Sequence, residues 1–390
     1  MRRAHLQATT KAGIGKAQGR LAARALGGPV KISVIVPVYK AEKHLGATLD
    51  SLLGQTHGDL EIICVNDGSP DRCGEILREY ASRDERIVMI EQANQGVSVA
   101  RNTGIARATG DIVMFVDADD TLVVHACARV NEIFETQSPE ALTFGIECNP
   151  PEAAPASLRR ELSPSDTVYE GFEPALLFKE HARPYACRTA LSRSFVQREG
   201  IGFEPGLALA EDQVFYFAVY PFSKRTVLSS EKLYIYRMND ESVTHESTDG
   251  RRAMLVKLDR HLTAIEAICR IWNERGMRDF CAGELLEWCL DFTMLDISRL
   301  PAADQRACYA RLMASLDGHF SAPSEAFAVR RPTKACLADI RAALATESAT
   351  SETTNADGVV SSLHKARYYL MRRGFARCAE RALMKIGLVK

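Results

Sequence analysis

The chain has 390 residues, 46% of them hydrophobic and 25% charged, with a net charge of −1; this is the profile of a water-soluble globular protein with one large domain plus an appendage, or two domains. No apolar run approaches the ~20 residues that span a bilayer, and the eleven cysteines form no CxxC pair, which argues against a disulfide framework or a zinc site and fits a reducing cytosol. The charge is unevenly spread: residues 1–40 carry eight Lys/Arg and no acid, residues 364–390 carry eight Lys/Arg against Glu380 alone, and the middle is acidic, so the natural partner of the two ends is an anionic surface.

The first 28 residues are basic and rich in Ala and Gly. They lack the apolar core of a secretory signal and read as a flexible start more than as a transit peptide. Ile32-Ser-Val-Ile-Val-Pro-Val38 is a short β-branched run, hence a buried strand. From Ala41 to Leu53 the apolar positions Ala41, Leu45, Leu49, Leu52 and Leu53 share one helical face. Leu60–Val65 predicts a second strand, ended by the turn signal Asn66-Asp67-Gly68-Ser69-Pro70. A helix through about Tyr80 is expected next, with Ser69 as N-cap and Pro70 in its first position. Arg86–Ile90 predicts a third strand, Val97–Ala108 a helix ended by Gly110, and Asp111–Val116 a fourth strand that runs into Asp117-Ala-Asp-Asp120.

Strands alternating with helices mean parallel strands and crossover connections, and ligands bind beyond the carboxyl ends of such strands. Val38-Tyr39, Asn66-Asp67-Gly68 and Asp117-Ala-Asp119 all fall at those ends. Asp117 and Asp119, two residues apart, point the same way if the chain stays extended. Hard oxygen ligands without His or Cys suit Mg2+ or Mn2+ shared with substrate phosphates. The plainer alternative is an acidic turn capping a helix from Leu122, with Asp120 near its N-terminus. Asp67 suits either an Asx turn or a hydrogen bond to a base or ribose, and Tyr39 either the core or a stacking face. Residues 150–166 look irregular and 203–210 loop-like. Glu211 and Asp212 open a helix, where the dipole favours carboxylates and where a base ionised at neutral pH would serve. Leu233–Tyr236 alternates like a strand, 251–316 is helical in period, and 346–362 reads as a linker. In the last segment Tyr368, Met371, Phe375, Cys378, Ala382 and Ile386 line one helical face, with Arg373, Arg377, Arg381 and Lys385 opposite. That pattern suits a helix on an anionic membrane and equally a helix packed on the acidic body of its own chain.

Val34-Ile-Val-Pro-Val-Tyr39, Leu49-Asp-Ser-Leu-Leu53, Val65-Asn-Asp-Gly-Ser69, Asn94-Gln-Gly-Val-Ser98 with Ala100-Arg-Asn-Thr-Gly104, Ala108-Thr-Gly110 and Phe115-Val-Asp-Ala-Asp-Asp120 occur in that order. This set resembles the family 2 glycosyltransferases of the GT-A fold, of the bacterial envelope and exopolysaccharide type. The likeness covers 31–125 and returns at Glu211-Asp-Gln-Val-Phe215 and Tyr236-Arg-Met to His245. It implies an α/β GT-A domain with a mostly parallel central sheet over 31–245. Around it are expected a flexible basic N-terminus over 1–30, a helical extension over 246–345, the linker 346–362 and a basic amphipathic helix over 363–390. It implies an inverting enzyme that moves a sugar from a nucleotide diphosphate donor, UDP-type by analogy, to a hydroxyl of a glycan or lipid-linked acceptor in cell-surface polysaccharide synthesis. Pro37, Val38, Tyr39 and Asp67 would hold the nucleotide, Arg101 would face the diphosphate or donor sugar, and Asp117 would contact the ribose or the metal. Asp119 and His245 would hold Mn2+ or Mg2+, Asp212 would be the catalytic base, and Glu211 and Asp120 would support the acceptor and the metal. Asn66 stands where many members carry a second Asp.

The location expected is cytoplasmic, and peripheral at the inner face of the plasma membrane where the tail meets lipid. No nucleic-acid partner is expected, since aromatic interleaving is thin and the body is acidic. Two rival classes are a nucleotidyltransferase, which needs a Lys-containing Gly-rich phosphate loop that does not follow Pro37, and a non-catalytic sugar- or partner-binding module. A dehydrogenase would need G-x-G-x-x-G after the first strand.

Overall fold

The computed structural model describes residues 30–183, 185–207, 209–238, 250–323, 326–327, 329–346 and 358–372. The chain divides into two compact units: Met1–Glu173 with Glu180–Gly206 and Val219–Met238, and Pro174–Lys179 with Leu207–Ala218 and Asn239–Lys390.

The first unit holds a nine-stranded sheet in the order β3-β2-β1-β4-β8-β6-β9-β5, with β7 also on β9. The strands are β1 Ile32–Val38, β2 Leu60–Asp67, β3 Ile87–Gln92, β4 Ile112–Phe115, β5 Thr121–Leu122, β6 Ala141–Asn149, β7 Thr167–Glu170, β8 Thr189–Ser192 and β9 Arg225–Arg237. β1, β2, β3 and β4 are mutually parallel. β8 then joins β4 and β6 antiparallel, β9 runs parallel to β6, and β5 and β7 lie antiparallel on β9. The sheet is thus parallel in its first half, as its alternating strands and helices predict, and mixed in its second half.

Period-two alternation builds the two faces. Val34 and Val36 of β1 pack with Leu45, Leu49, Leu52, Cys73 and Leu77 from the helices Leu45–Leu53 and Cys73–Arg83. Ile35 points the other way, against Gly104 of the helix Val97–Arg107. Two helix starts differ from the sequence expectation. The Ser69 hydroxyl accepts from the Lys40 N–H (2.7 Å) and donates to Asp71 (2.8 Å), and Asp71 in turn accepts from the Cys73 N–H (3.2 Å). Ser69 is therefore no N-cap, and the helix begins at Cys73. The helix expected from Leu122 begins at Ala126, because Thr121–Leu122 pairs with β9 as a strand.

At the amino ends of these strands, Glu61 is a buried polar hub. Its carboxylate accepts from the Ser33 hydroxyl, the Thr109 N–H (2.5 Å), the Thr109 hydroxyl (2.7 Å), the Gly110 N–H (2.9 Å) and Lys31 Nζ (3.0 Å). This explains why Ala108-Thr-Gly110 follows the third long helix: it ties the entry of β4 to β1 and β2.

The second unit is helical. Arg251–Glu274 buries Leu258, Leu262, Ile265, Ile268 and Trp272 along one stripe. Trp272 Nε1 donates to the Phe217 carbonyl at 2.9 Å, and Phe217 lies between Trp272 and Trp288. Ala282–Ile297, Ala302–His319 and Arg331–Ala345 complete the bundle, followed by a helix described over 362–372. That last helix faces inward in part. The Tyr368 ring is buried and its hydroxyl donates to the Glu287 carbonyl (2.8 Å), while Arg372 pairs with Asp291 (2.6 Å) and Glu287 (3.0 Å). Glu287 also receives Arg330 and the Thr333 hydroxyl (2.9 Å). For 362–372 the intramolecular alternative is the one observed; the rest of the basic segment lies outside the described residues. Among the described residues no helix is long and apolar enough to cross a membrane, and all ten cysteines are free thiols.

Candidate active site

Because β1, β2 and β4 run parallel, their carboxyl ends share one edge of the sheet. The chain leaves β4 through Val116, whose N–H bonds the Ile35 carbonyl at 3.0 Å, and enters Asp117-Ala-Asp-Asp120. The loop closes on itself through Asp120 N–H to the Asp117 carbonyl (3.1 Å), and Thr48 of the first helix donates to the Ala118 carbonyl (2.9 Å). β9 supplies the rest. The Tyr234 hydroxyl accepts from the Asp117 N–H (3.1 Å) and donates to Asp120 Oδ2 (2.7 Å). Arg237 donates its N–H to Asp120 Oδ1 (2.7 Å) and Nε to the Asp119 carbonyl (2.9 Å). Asp120 thus has both oxygens engaged by β9 and anchors the loop; it does not cap a helix.

Arg101, on the helix Val97–Arg107, is 5% exposed and donates Nη2 to Asp117 Oδ1 at 2.8 Å. Its guanidinium lies 4.9 Å from the centre of the Phe203 ring, a cation–π contact that fixes the group in place. Asn102 secures Phe203 by bonding both its N–H (2.8 Å) and its carbonyl (2.7 Å). Burial and the Asp117 charge raise the Asp119 carboxyl above its ordinary value. Burial, with the charges of Asp117 and Asp119, pushes Asp120 up to about 8. Like charges so placed favour a proton or a cation among them.

Tyr39 follows β1 and is 44% exposed, so it stands on the surface of the rim and not in the core. Val38 is fully buried and Pro37 partly so, which leaves Val38 only its backbone to offer a ligand. Asp67, at the end of β2 and 2% exposed, accepts from Gln92 Nε2 (2.7 Å), the Gln95 N–H (3.0 Å) and the Gly96 N–H (2.8 Å). Its carboxylate therefore braces the 92–96 segment ahead of Arg101. The Asx-type turn belongs to Asn66, whose Oδ1 accepts the Ser69 N–H at 3.1 Å. Gly68 has φ +66°, and a Cβ there would lie 2.8 Å from the Asn94 N atom, so the turn requires glycine.

Pro37, Val38, Tyr39, Asp67, Arg101, Asp117, Asp119 and Asp120 all belong to the sheet unit and gather at this edge. Glu211 and Asp212 belong to the helical unit, in the first turn of Glu211–Val219, where Asp212 Oδ1 accepts the Gln213 N–H (2.7 Å). His245 lies outside the described residues. Among the described residues no group of three or more His, Cys, Asp or Glu forms a protein-only metal cage. Asp120 is held by β9 and Asp117 by Arg101, and the acids of this loop make a small, carboxylate-based donor set. It fits a hard cation that completes its shell with phosphate oxygens and water. Tyr234, Arg237 and Phe203 were not singled out from sequence. Tyr234 was within reach, since the alternation of Leu233–Tyr236 puts every second side chain on one face.

Comparison with known proteins bears directly on this edge. Residues 33–189 match the family described as Glycosyl transferase family 2. The glycosyltransferase EpsJ of Bacillus subtilis is 33% identical over 263 residues, covering 65% of this chain and 73% of EpsJ. The chain belongs to glycosyl transferase family 2. The poly(ribitol-phosphate) beta-glucosyltransferase of Bacillus spizizenii is 31% identical over 53% of the chain, and only 32% of that longer protein is matched. In three dimensions S. aureus TarS 1–349 in complex with UDP has a TM-score of 0.63 at 20% identity, covering 80% of this chain and 88% of TarS. The GT-A fold of this family 2 glycosyltransferase is thereby shown. The family match ends before Glu211 and β9, so the strand that anchors the acidic loop lies beyond it.

Proposed function

We propose that this glycosyltransferase moves a sugar from a nucleotide diphosphate donor, of the UDP type, to a hydroxyl of a glycan or lipid-linked acceptor in cell-surface polysaccharide synthesis, with inversion. The observation that carries the proposal is the meeting of Asp117, Asp119 and the clamped Arg101 at the edge where a GT-A sheet receives its ligand. The exposed ring of Tyr39 offers a stacking face for the base, beside the backbone of Pro37 and Val38. Asp67 supports the nucleotide side of the site by bracing 92–96. Arg101 and Asp117 face the donor, and Asp119, with His245, is assigned to Mn2+ or Mg2+. When bound, such a cation supplies Lewis-acid neutralisation of charge on the departing diphosphate.

Asp212 takes the proton from the acceptor hydroxyl, with Glu211 beside it. A helix start is a favourable place for a carboxylate, an effect of roughly 0.3–1 kcal/mol. The hydroxyl oxygen then attacks the anomeric carbon opposite the leaving group, and one displacement inverts the centre. Names of relatives support an anionic polymer acceptor: one is a poly(ribitol-phosphate) glucosyltransferase. The basic segment 364–390 favours the same kind of surface, or anionic lipid, and so a peripheral location at the membrane.

The test is donor hydrolysis by the full chain with a panel of nucleotide diphosphate sugars and Mn2+ or Mg2+. Wild type is expected to release nucleoside diphosphate. Asp212→Asn is expected to lose at least about a hundredfold in turnover, the usual worth of a positioned base, with nucleotide binding unchanged. Turnover by Asp212→Asn at the wild-type rate, or nucleotide binding without any turnover by wild type, would favour a non-catalytic binding module instead.

A further inference from the structure

The acidic loop is held chiefly by a side chain more than a hundred residues away. Tyr234 is fully buried, fixed by pairing of β9 with Leu122 of β5 on one side and Ile146 of β6 on the other. Its ring is part of the core, but its hydroxyl is not idle there. It accepts from the Asp117 N–H at 3.1 Å, donates to Asp120 Oδ2 at 2.7 Å, and meets the buried thiol of Cys187. Among the described residues the Tyr234 hydroxyl is the one side-chain group that hydrogen-bonds Asp120; its remaining oxygen takes the Arg237 N–H at 2.7 Å.

A phenyl ring would fill the same volume. The hydroxyl therefore adds little to packing, and besides its contact with the Cys187 thiol it serves to place Asp117 and Asp120. We infer that Tyr234 is a positioning residue: its hydroxyl fixes the backbone of the Asp117–Asp120 loop, and through it the Asp117 and Asp119 carboxylates, in the form that receives the donor diphosphate. This rests on the loop being the donor site, as proposed above. Without the hydroxyl, the Asp117 N–H loses its acceptor and one Asp120 oxygen loses its donor, both in a buried place where water replaces them poorly. The loop would then sample more than one form, and a ligand that needs one form binds more weakly by the fraction lost.

The experiment compares wild type with Tyr234→Phe as full-length proteins. Hydrogen exchange read by mass spectrometry, without nucleotide or metal, is expected to quicken about tenfold in the peptide over 112–122 and to stay unchanged in β1 and β2. The factor is that of one lost buried hydrogen bond whose partner is left unsatisfied. Calorimetric binding of UDP in Mn2+ is expected to weaken by a similar factor, with the melting temperature nearly kept. Asp120→Ala, which leaves the ring untouched and removes the carboxyl that the Tyr234 hydroxyl meets, should quicken exchange in the same peptide and gives the same answer should Tyr234→Phe fold poorly. Unchanged exchange, or quicker exchange with unchanged UDP affinity, overturns the inference. A wild type that binds none of UDP, GDP or CDP with either cation overturns the donor-site proposal itself and this inference with it, a result separate from any difference between wild type and variant.

Discussion

Replacing Glu61 by Gln tests whether the buried hub beneath the sheet stabilises the fold by charge. Burial alone would raise this carboxyl, but hydrogen bonds from Ser33, Thr109 and Lys31 outweigh it and bring it from 4.5 down to about 2. A drop of that size is worth about 3 kcal/mol of stability at neutral pH. The sign follows from linkage: the folded state holds the proton less tightly than the unfolded chain. The stabilisation is complete above about pH 5 and fades as pH falls through 4.5 toward 2. Less than half of it should remain at pH 3. Denaturant melts of wild type and Glu61→Gln at pH 7, 5, 4 and 3 read the difference directly. The expected gap is about 3 kcal/mol at pH 7, narrowing steadily below pH 5. A gap that is the same at pH 7 and pH 3 would show that shape and not ionisation is at stake, and would refute the reasoning.

Two further outcomes follow from packing. A Cβ on Gly104 would lie 2.4 Å from Ile35 Cγ2, so Gly104→Ala should force the helix carrying Arg101 off β1 and cost about 1–3 kcal/mol, read by thermal melting. In the helical unit, Glu287→Ala removes the acid shared by Arg330 and Arg372, of which Arg372 keeps Asp291, and leaves the buried Thr333 hydroxyl without its acceptor; a loss of about 1–3 kcal/mol is expected in denaturant unfolding.

The first four strands and the helices between them were legible because each is a run of one period bounded by turn residues. Val34, Val36, Leu49 and Leu52 announce their faces without any tertiary information. Of the later strands only the Leu233–Tyr236 part of β9 was legible, and the others were not for a physical reason. β6 breaks register around Gly145, and β7 and β8 have four residues each; neither offers enough alternation to be told from loop. The rim carboxylates could be placed at strand ends from sequence, since topology alone sends them there. What they bond to could not. Asp120 and Tyr234 are 114 residues apart, and nothing local in either segment marks the pair. The same limit applies to Tyr368 and Arg372. The apolar face that holds Tyr368 suits a membrane, and only the contacts with Ala282–Ile297 show that the described turns of that helix are claimed from within.

β9 is the last strand of the sheet to leave the ribosome, yet it pairs with β5, β6 and β7 and carries both residues that pin the acidic loop. A nascent chain that has emerged only as far as β8 already owns its four parallel strands and every rim carboxylate of the sheet unit. It still lacks the strand that fixes the Asp117–Asp120 loop. The order of this loop therefore arrives late in synthesis, when residue 237 comes into reach, and long-range closure of this kind is slow compared with helix formation.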